Sequence, residues 1–226
     1  MNQRFDIYRN IHMGVRALMM ETLAAVGRMD AEDAAERTHT LAQVRFPLTF
    51  CRMHLEKENR FVHPAMESRA PGSTRSIAAD HVGHLRAFAD LESDIAAVET
   101  TPDAGKPEAA FLLYRRLGLF VGENFVHMYE EETANNAVLW RTHSDPEIIA
   151  IEQAIIAQVP PDLKPEVMRW MLPALSPQTR AHLFRVMAPA MPPEARGGVL
   201  AMLKPLLSEA NWRKLDEITH TVPAAA

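Results

Sequence analysis

The sequence has little of what several large classes of protein require. Cys51 is its one cysteine, so no disulfide can form within the chain, and a disulfide-stabilised secreted scaffold is excluded. Only 9 glycines, 3 tyrosines and 3 tryptophans occur among 226 residues, and runs of β-branched residues are nearly absent. The formal net charge is −5, which offers no basic surface for nucleic acid or for an anionic membrane. We expect neither of these partners.

Common catalytic and binding motifs are missing as well. The sequence contains no GxGxxG, GxxxxGK[ST], GxSxG or CxxC, the minimal motifs of dinucleotide binding, phosphate-binding loops, serine hydrolases and thioredoxins. No uncharged apolar run approaches the roughly 20 residues of a membrane-spanning helix. The first residues, MNQRFDIYRNIHMG, are charged and lack the apolar stretch of a signal peptide. We therefore expect a cytoplasmic protein.

What the sequence does contain is apolar residues at helical spacing. Four long segments, at about 5–26, 30–67, 74–98 and 107–141, have apolar stripes with steps of three and four residues. Asp30 is a candidate N-cap of the second segment, and Pro47 predicts a kink within it. Four stripes that must be buried against one another predict an all-α fold, an up-down-up-down four-helix bundle.

The distribution of proline divides the chain into two regions. Residues 1–145 hold five of the 16 prolines, whereas eight of the ten histidines lie at or before His143. We predict a bundle domain over 1–143 and a helical C-terminal extension over 144–226. Prolines at 146, 160–161, 177 and 192–193 predict four shorter helices there. Their apolar faces are expected to cover the bundle or a partner chain, including a second copy in a homo-oligomer.

Polar residues interrupt the apolar stripes of all four long segments. His54 and Glu58 are four residues apart, as are His127 and Glu131, so each pair lies on one helix face. His81 and His84 are three apart and also share a face. The complete set of candidate metal ligands is His12, His54, Glu58, His81, His84, His127 and Glu131.

Metal binding explains why carboxylates occur on faces that are otherwise apolar. A buried carboxylate without compensation is costly, and two of them repel each other. A divalent cation reverses this cost, because it binds neutral imidazoles and ionised carboxylates in the same core. Four helices that each supply one or two ligands can hold a dinuclear site. Mixed histidine and carboxylate ligands suit iron or manganese better than zinc.

The order of these residues resembles the hemerythrin-like family of HHE cation-binding domains, over about residues 1–140. The matching stretches are IHMG, MHLEKENRFVHPAME, ADHVGHLRAF and FVHMYEEETA. The resemblance implies two non-haem iron ions, bridged by the two carboxylates and by an oxo or hydroxo group. It implies as ligands His12, His54, Glu58, His81, His127 and Glu131.

One feature departs from the family pattern. Hemerythrins proper have two histidines four residues apart on the third helix, whereas His81 and His84 are three apart. The site could use both or only His81, which follows Asp80 as the family's third-helix histidine usually follows an acid. The role of His84 and the number of open metal positions therefore stay undecided from the sequence.

The other polar residues are expected outside the site. Glu56 and Glu130 lie off the stripes, and His63 stands about 180° from His54 on an α-helical wheel, which favours packing or exposure. We expect core packing for Tyr8 and Cys51, with a place beside the metals as the alternative for Tyr8. Asn124, one turn before His127, is expected to form hydrogen bonds near the metals or to line an access path. Surface positions are expected for His39, His143, His182 and His220.

These observations predict a diiron protein that binds or senses O₂, NO or a peroxide. Two alternatives use the same site: a diiron oxidoreductase of the peroxide-consuming or ferroxidase-like kind, and an interaction module that responds to iron. A metal-free helical scaffold is the third alternative. The sequence alone does not decide whether the protein is an enzyme.

Overall fold

The computed structural model describes residues 4–219. Every regular element in that range is helical, and none of these residues forms a strand. The prediction of an all-α protein is confirmed at this level. No helix within 4–219 is both long enough and apolar enough to cross a bilayer.

The four predicted long segments correspond to six α-helices, because two of the segments contain a π turn. One π turn, Glu58–Val62, joins the second helix to the third, and another, Glu131–Asn135, joins the fifth to the sixth. The helices are α1 (Arg9–Arg28), α2 (Ala34–Lys57), α3 (His63–Arg69), α4 (Arg75–Thr100), α5 (Lys106–Glu130) and α6 (Asn136–Thr142).

The start of α2 shows why its predicted N-cap was wrong. The carboxylate of Asp33 accepts hydrogen bonds from the backbone N–H groups of Ala35 and Glu36, so Asp33 is the N-cap. Asp30 instead accepts from backbone N–H groups within the preceding turn. Pro47 lies inside α2, which continues to Lys57.

Five α-helices follow within the described residues, rather than the four predicted. Ser144 and Glu147 form a capping box at the first of them. A 3₁₀ turn over Lys204–Leu206, which contains Pro205, separates the last two, because proline lacks the N–H that would continue a helix. The helices are α7 (Asp145–Ala157), α8 (Lys164–Ala174), α9 (Pro177–Met187), α10 (Pro193–Leu203) and α11 (Glu209–Thr219).

The chain forms two compact units. Of the described residues, unit one comprises 4–9 and 18–158, and unit two comprises 10–17 and 159–219. In unit one, ion pairs from Arg45 to Glu99 and from Arg52 to Glu92 join α2 to α4. The direction of these pairs makes α2 and α4 antiparallel.

A third helix of unit one packs on α4. Arg116 of α5 pairs with Asp90 and Asp94 of α4, while His127 lies near Asp80, so α4 and α5 are also antiparallel. The three helices place the candidate ligands of α2, α4 and α5 at one level of the unit.

Each unit has its own apolar core. In unit one, Tyr8, Met66 and Ile148 belong to a cluster that also joins α3, α6 and α7. In unit two, Phe184 and Leu203 are among the residues of a second cluster, against which Met13 packs.

Candidate metal centre

Two glutamates at the starts of the two π turns form the centre of the site. Glu58 is 2% exposed and follows the last residue of α2, and Glu131 is 0% exposed and follows the last residue of α5. A π turn accommodates one more residue per turn than an α-helix, and such turns often occur at functional sites. Both carboxylates are therefore buried at the point where the helix changes its register.

Glu58 has an imidazole nitrogen near each of its carboxylate oxygens. His54 Nε2 lies 3.3 Å from Oε1, and His81 Nε2 lies 3.7 Å from Oε2. Each carboxylate oxygen of Glu58 therefore has one imidazole nitrogen close to it. The HxxxE spacing of the sequence accounts for the first contact, and the packing of α4 against α2 for the second.

Glu131 has a similar relation to His127. Its Oε1 lies 3.5 Å from His127 Nε2, and that nitrogen lies 3.2 Å from His81 Nε2. Imidazoles from α4 and α5 thus converge, with both Nε2 atoms directed to one place.

These side chains form two overlapping groups that could hold metal ions. Ligand atoms of Glu58, His81, His127 and Glu131 all lie within 4.8 Å of one another. Glu58 and Glu131 also belong to a second such group, with His54. The two carboxylates are common to both groups. His12 is fully buried on α1, in the segment of that helix that belongs to unit two.

Burial changes the protonation of this cluster. It raises the pKa of Glu58 well above the usual range, and the nearby charge of Glu131 adds to the effect. It also raises the pKa of Glu131, to about 8. Burial, followed by the charge of His127, lowers the pKa of His81 to about 3. The protein alone therefore favours a neutral imidazole at His81 and protonated carboxyls at Glu58 and Glu131.

This donor set fits a divalent cation. The neutral imidazole of His81 is already in the form that binds metal, and a cation would stabilise the carboxylates whose ionised form burial disfavours. Glu58 Oε1 and His127 Nδ1 are buried and make no hydrogen bond within the described chain. Ligands of mixed nitrogen and oxygen type are common for iron and manganese.

Two polar side chains lie beside the imidazoles of the cluster, and one of them orients His81. His81 donates from Nδ1 to Oδ1 of Asn59 at 2.9 Å, which leaves the lone pair of Nε2 directed into the site. Asp80 Oδ2 lies 3.6 Å from Nδ1 of His127. Asn59 was not predicted as a site residue, and Asp80 was predicted only as the acidic neighbour of His81. Asp80 also lies near His127 because α4 and α5 are antiparallel.

His84 is buried but belongs to neither ligand group. Its ring packs edge-on against His127, with the ring centroids 4.7 Å apart, and also lies beside Phe120. Burial lowers its pKa to about 4. A ligand role for His84 beside His81 stays a prediction.

His63 lies in the site although the α-helical wheel placed it on the opposite face from His54. The π turn between these residues contains an extra residue, which rotates everything after it by about 100°. His63 is 6% exposed, stacks on His81 with the ring centroids 4.9 Å apart, and its Nε2 is buried without a hydrogen bond. The predicted position of His63 was wrong because a helical wheel holds only for a continuous α-helix.

Tyr8 is close enough to Glu58 and Glu131 for the charges of both carboxylates to act on its phenol. Its phenol is fully buried, and burial, followed by the charges of Glu131 and Glu58, raises its pKa well above the usual value. Asn135 of the second π turn donates to its hydroxyl at 3.4 Å. Tyr8 thus belongs to the apolar core and lies next to the site, the two places that the sequence analysis considered.

Asn124 and Cys51 are both buried near the candidate ligands. Asn124 donates to the carbonyl of Phe120 in its own helix at 2.8 Å. Burial, followed by the charge of Glu58, raises the pKa of the Cys51 thiol to about 12, so Cys51 is a neutral buried side chain as expected.

The remaining histidines differ in one case from expectation. His39 and His182 are exposed, as predicted, and His220 lies outside the described residues. His143 was predicted at the surface but is buried, because Arg4 donates to its carbonyl and Thr142 Oγ1 lies 2.8 Å from its Nδ1. Glu56, expected off the stripe, is exposed.

When the chain is compared with family models and with curated proteins, none of them matches it. The hemerythrin-like resemblance therefore stays a prediction that depends on the residues themselves.

Proposed function

We propose that this protein is a hemerythrin-like diiron protein, in which a four-helix bundle formed by α1, α2–α3, α4 and α5–α6 holds two iron ions. The antiparallel packing of α2, α4 and α5 supports this architecture. The observation that carries the proposal is the pair of overlapping ligand groups that share Glu58 and Glu131.

The ligands divide between two positions. His81 and His127 would hold one ion and His54 the other, with both carboxylates shared. In this proposal His12 is the further histidine ligand that the hemerythrin-like resemblance implies. Its place on α1 supports this role: Tyr8 precedes it by one turn of the same face, and the charges of both carboxylates act on Tyr8.

The proposed role is to bind or sense O₂, NO or a peroxide. Bound iron supplies the redox chemistry and the place where the small molecule attaches. The chain holds the ions with neutral imidazoles, balances their charge with two carboxylates and surrounds them with apolar side chains that exclude water. Asn59 accepts from Nδ1 of His81, which leaves the lone pair of Nε2 free to bind an ion.

Difference spectra of the iron-loaded, reduced protein test this role. We expect new absorption bands when the reduced protein is exposed to O₂ or NO, and when azide is added to the oxidised protein. The azide-dependent band should saturate at one azide per chain. An iron-loaded protein whose spectrum responds to none of these molecules would contradict the proposed role.

The buried phenol of Tyr8 favours a second candidate function, a peroxide-consuming oxidoreductase. A phenol next to both carboxylates can supply an electron and a proton to a reaction at the site. Steady-state peroxide consumption distinguishes the two functions. Turnover far above that of free iron, lost in Tyr8→Phe while the iron content is retained, would favour the enzyme over the binding role.

A further inference from the structure

Helix α5 has a second apolar stripe on the side away from the metal site. Its inner face includes Leu113, Phe120 and His127, all buried. The outer face has exposed residues at steps of three and four that repeat every seven positions. These outer positions are Leu112, Arg115, Leu119, Gly122, Val126 and Tyr129.

This outer stripe has the form of a helix-packing seam. Leu119, Val126 and Tyr129 are 63%, 62% and 64% exposed, which is unusual for large side chains in line on one helix. A seven-residue repeat over more than two turns keeps the same face toward a partner helix. A Cβ at Gly122 would meet nothing within 4 Å, so the middle of the seam has open space for a side chain of a partner.

We propose that this seam packs against the same seam of a second copy of the chain, with the two α5 helices antiparallel about a two-fold axis. In that register Leu119 lies opposite the partner's Gly122, whose missing side chain leaves room for it. Leu112 lies opposite the partner's Tyr129. The two-fold axis repeats each contact, so the interface is closed and limited to two copies.

The charges on the seam select the antiparallel arrangement. With the helices parallel, Arg115 would face the partner's Arg115 in the middle of an apolar contact, which is unfavourable. With the helices antiparallel, the aliphatic part of Arg115 lies against the partner's Val126. Arg116, which flanks the seam and pairs with Asp90 and Asp94 of its own α4, then lies at the level of the partner's Glu123, a charge of opposite sign. Because the seam complements itself in size and in charge, a second copy is the occupant that fits it.

Analytical ultracentrifugation of the full-length protein tests the proposal. The wild type is expected at twice the chain mass of 25.4 kDa. Leu119→Glu places one charge on each of the two helices of the interface. The dissociation constant of the dimer should therefore rise about 100-fold or more. Val186→Glu on α9 is the matched control, because Val186 is also 63% exposed but lies outside the seam. The control should remain dimeric.

A cysteine pair tests the register independently of the charge variant. Arg115→Cys combined with Val126→Cys should form disulfide-linked dimers under mild oxidation, whereas Arg115→Cys alone should not. Native Cys51 is buried and does not compete in the folded protein. A monomeric wild type, a dimer that survives in folded Leu119→Glu, a dimer that dissociates in Val186→Glu, or a crosslink through Arg115→Cys alone would each overturn the proposal.

Discussion

Glu58 lies almost completely inside the protein, with His54 at one carboxylate oxygen and His81 at the other. Burial and the charge of Glu131 disfavour its ionised form, which raises its pKa. The negative charges of Glu58 and Glu131 would stabilise a bound cation. The side chain is therefore unfavourable for the metal-free fold and favourable for the metal-bound one.

Glu58→Gln should separate these two effects. The variant keeps the shape of the side chain but removes the charge. The free energy of unfolding of the metal-free protein at pH 8 should therefore rise by about 1–3 kcal/mol. The gain should shrink at pH 5, where Glu58 in the wild type is protonated. Urea denaturation of the metal-free proteins measures both values. Glu56→Gln, which changes an exposed glutamate two residues earlier, should have little effect; a destabilised Glu58→Gln would contradict the account.

His81 and His63 should differ in their effect on metal content, although their rings stack on each other. His81→Gln removes a member of a ligand group and should lower the bound iron to one ion per chain or fewer. His63→Gln should retain the iron content of the wild type, because His63 belongs to neither group. Iron analysis after gel filtration measures the difference, and equal iron loss in both variants would show that the ligand assignment is wrong.

Sequence spacing could predict the contacts within one helix and not those that depend on a change of helix type. The four-residue spacing correctly places His54 beside Glu58 and His127 beside Glu131. The position of His63 could not be predicted, because no residue pattern in ENRFV distinguishes a π turn from an α-helix. The partner of Asp80 depends on how α4 and α5 align, which the sequence of either helix alone does not determine.

At the scale of the elements, the helices were predicted well and their ends less well. Apolar periodicity extends through both π turns, so 30–67 and 107–141 each seemed to be one helix. Competing caps also shift boundaries: Asp30 and Asp33 are both good N-caps, and only Asp33 accepts from the first turn of α2. Proline predicted helix starts near Asp145 and Pro177 because a preceding serine caps each one.

Helix packing within unit two makes Gly14 of α1 intolerant of a side chain. A Cβ at Gly14 would lie 2.8 Å from Cα of Met171, so Gly14→Ala should destabilise the protein by about 1–3 kcal/mol. Gly197→Ala in α10 of the same unit is the control, since a Cβ there meets nothing within 4 Å. It should be neutral or stabilise by about 0.5–1 kcal/mol. Urea denaturation compares them, and a neutral Gly14→Ala would refute the close contact.

At the scale of the whole molecule, composition and contacts divide the chain at different places. Proline becomes frequent after residue 145, whereas the compact units change near residue 158. The reason is α7, whose Ile148 is fully buried in the core cluster of unit one. Pro146 is the proline of a helix start, and composition alone cannot distinguish such a start from a domain boundary.

The stability of the metal-free protein should depend on pH in a direction set by the site. Folding raises the pKa of Glu58, and it raises the pKa of Glu131 to about 8. The folded protein therefore favours the protonated carboxyls, and this contribution to stability is lost as the pH rises toward 8. His81 and His84 have a lowered pKa, so stability is lost as the pH falls below about 6.5. Unfolding free energy should therefore decrease from pH 6.5 to 8.

A double variant provides the control for this pH dependence. Glu58→Gln combined with Glu131→Gln removes both raised carboxyl groups, so the decrease between pH 6.5 and 8 should become much smaller. An equally steep decrease in this variant would mean that other groups cause it.

The most direct test of the proposed diiron site is the iron stoichiometry of the 226-residue chain. The protein is reconstituted with ferrous iron without oxygen, freed of unbound metal and analysed for iron and protein in parallel with Glu58→Ala. We expect two iron ions per chain in the wild type and a large loss in the variant, with the helical circular dichroism of both proteins unchanged. A folded wild type that retains no iron, or a variant that retains both ions, would contradict the account.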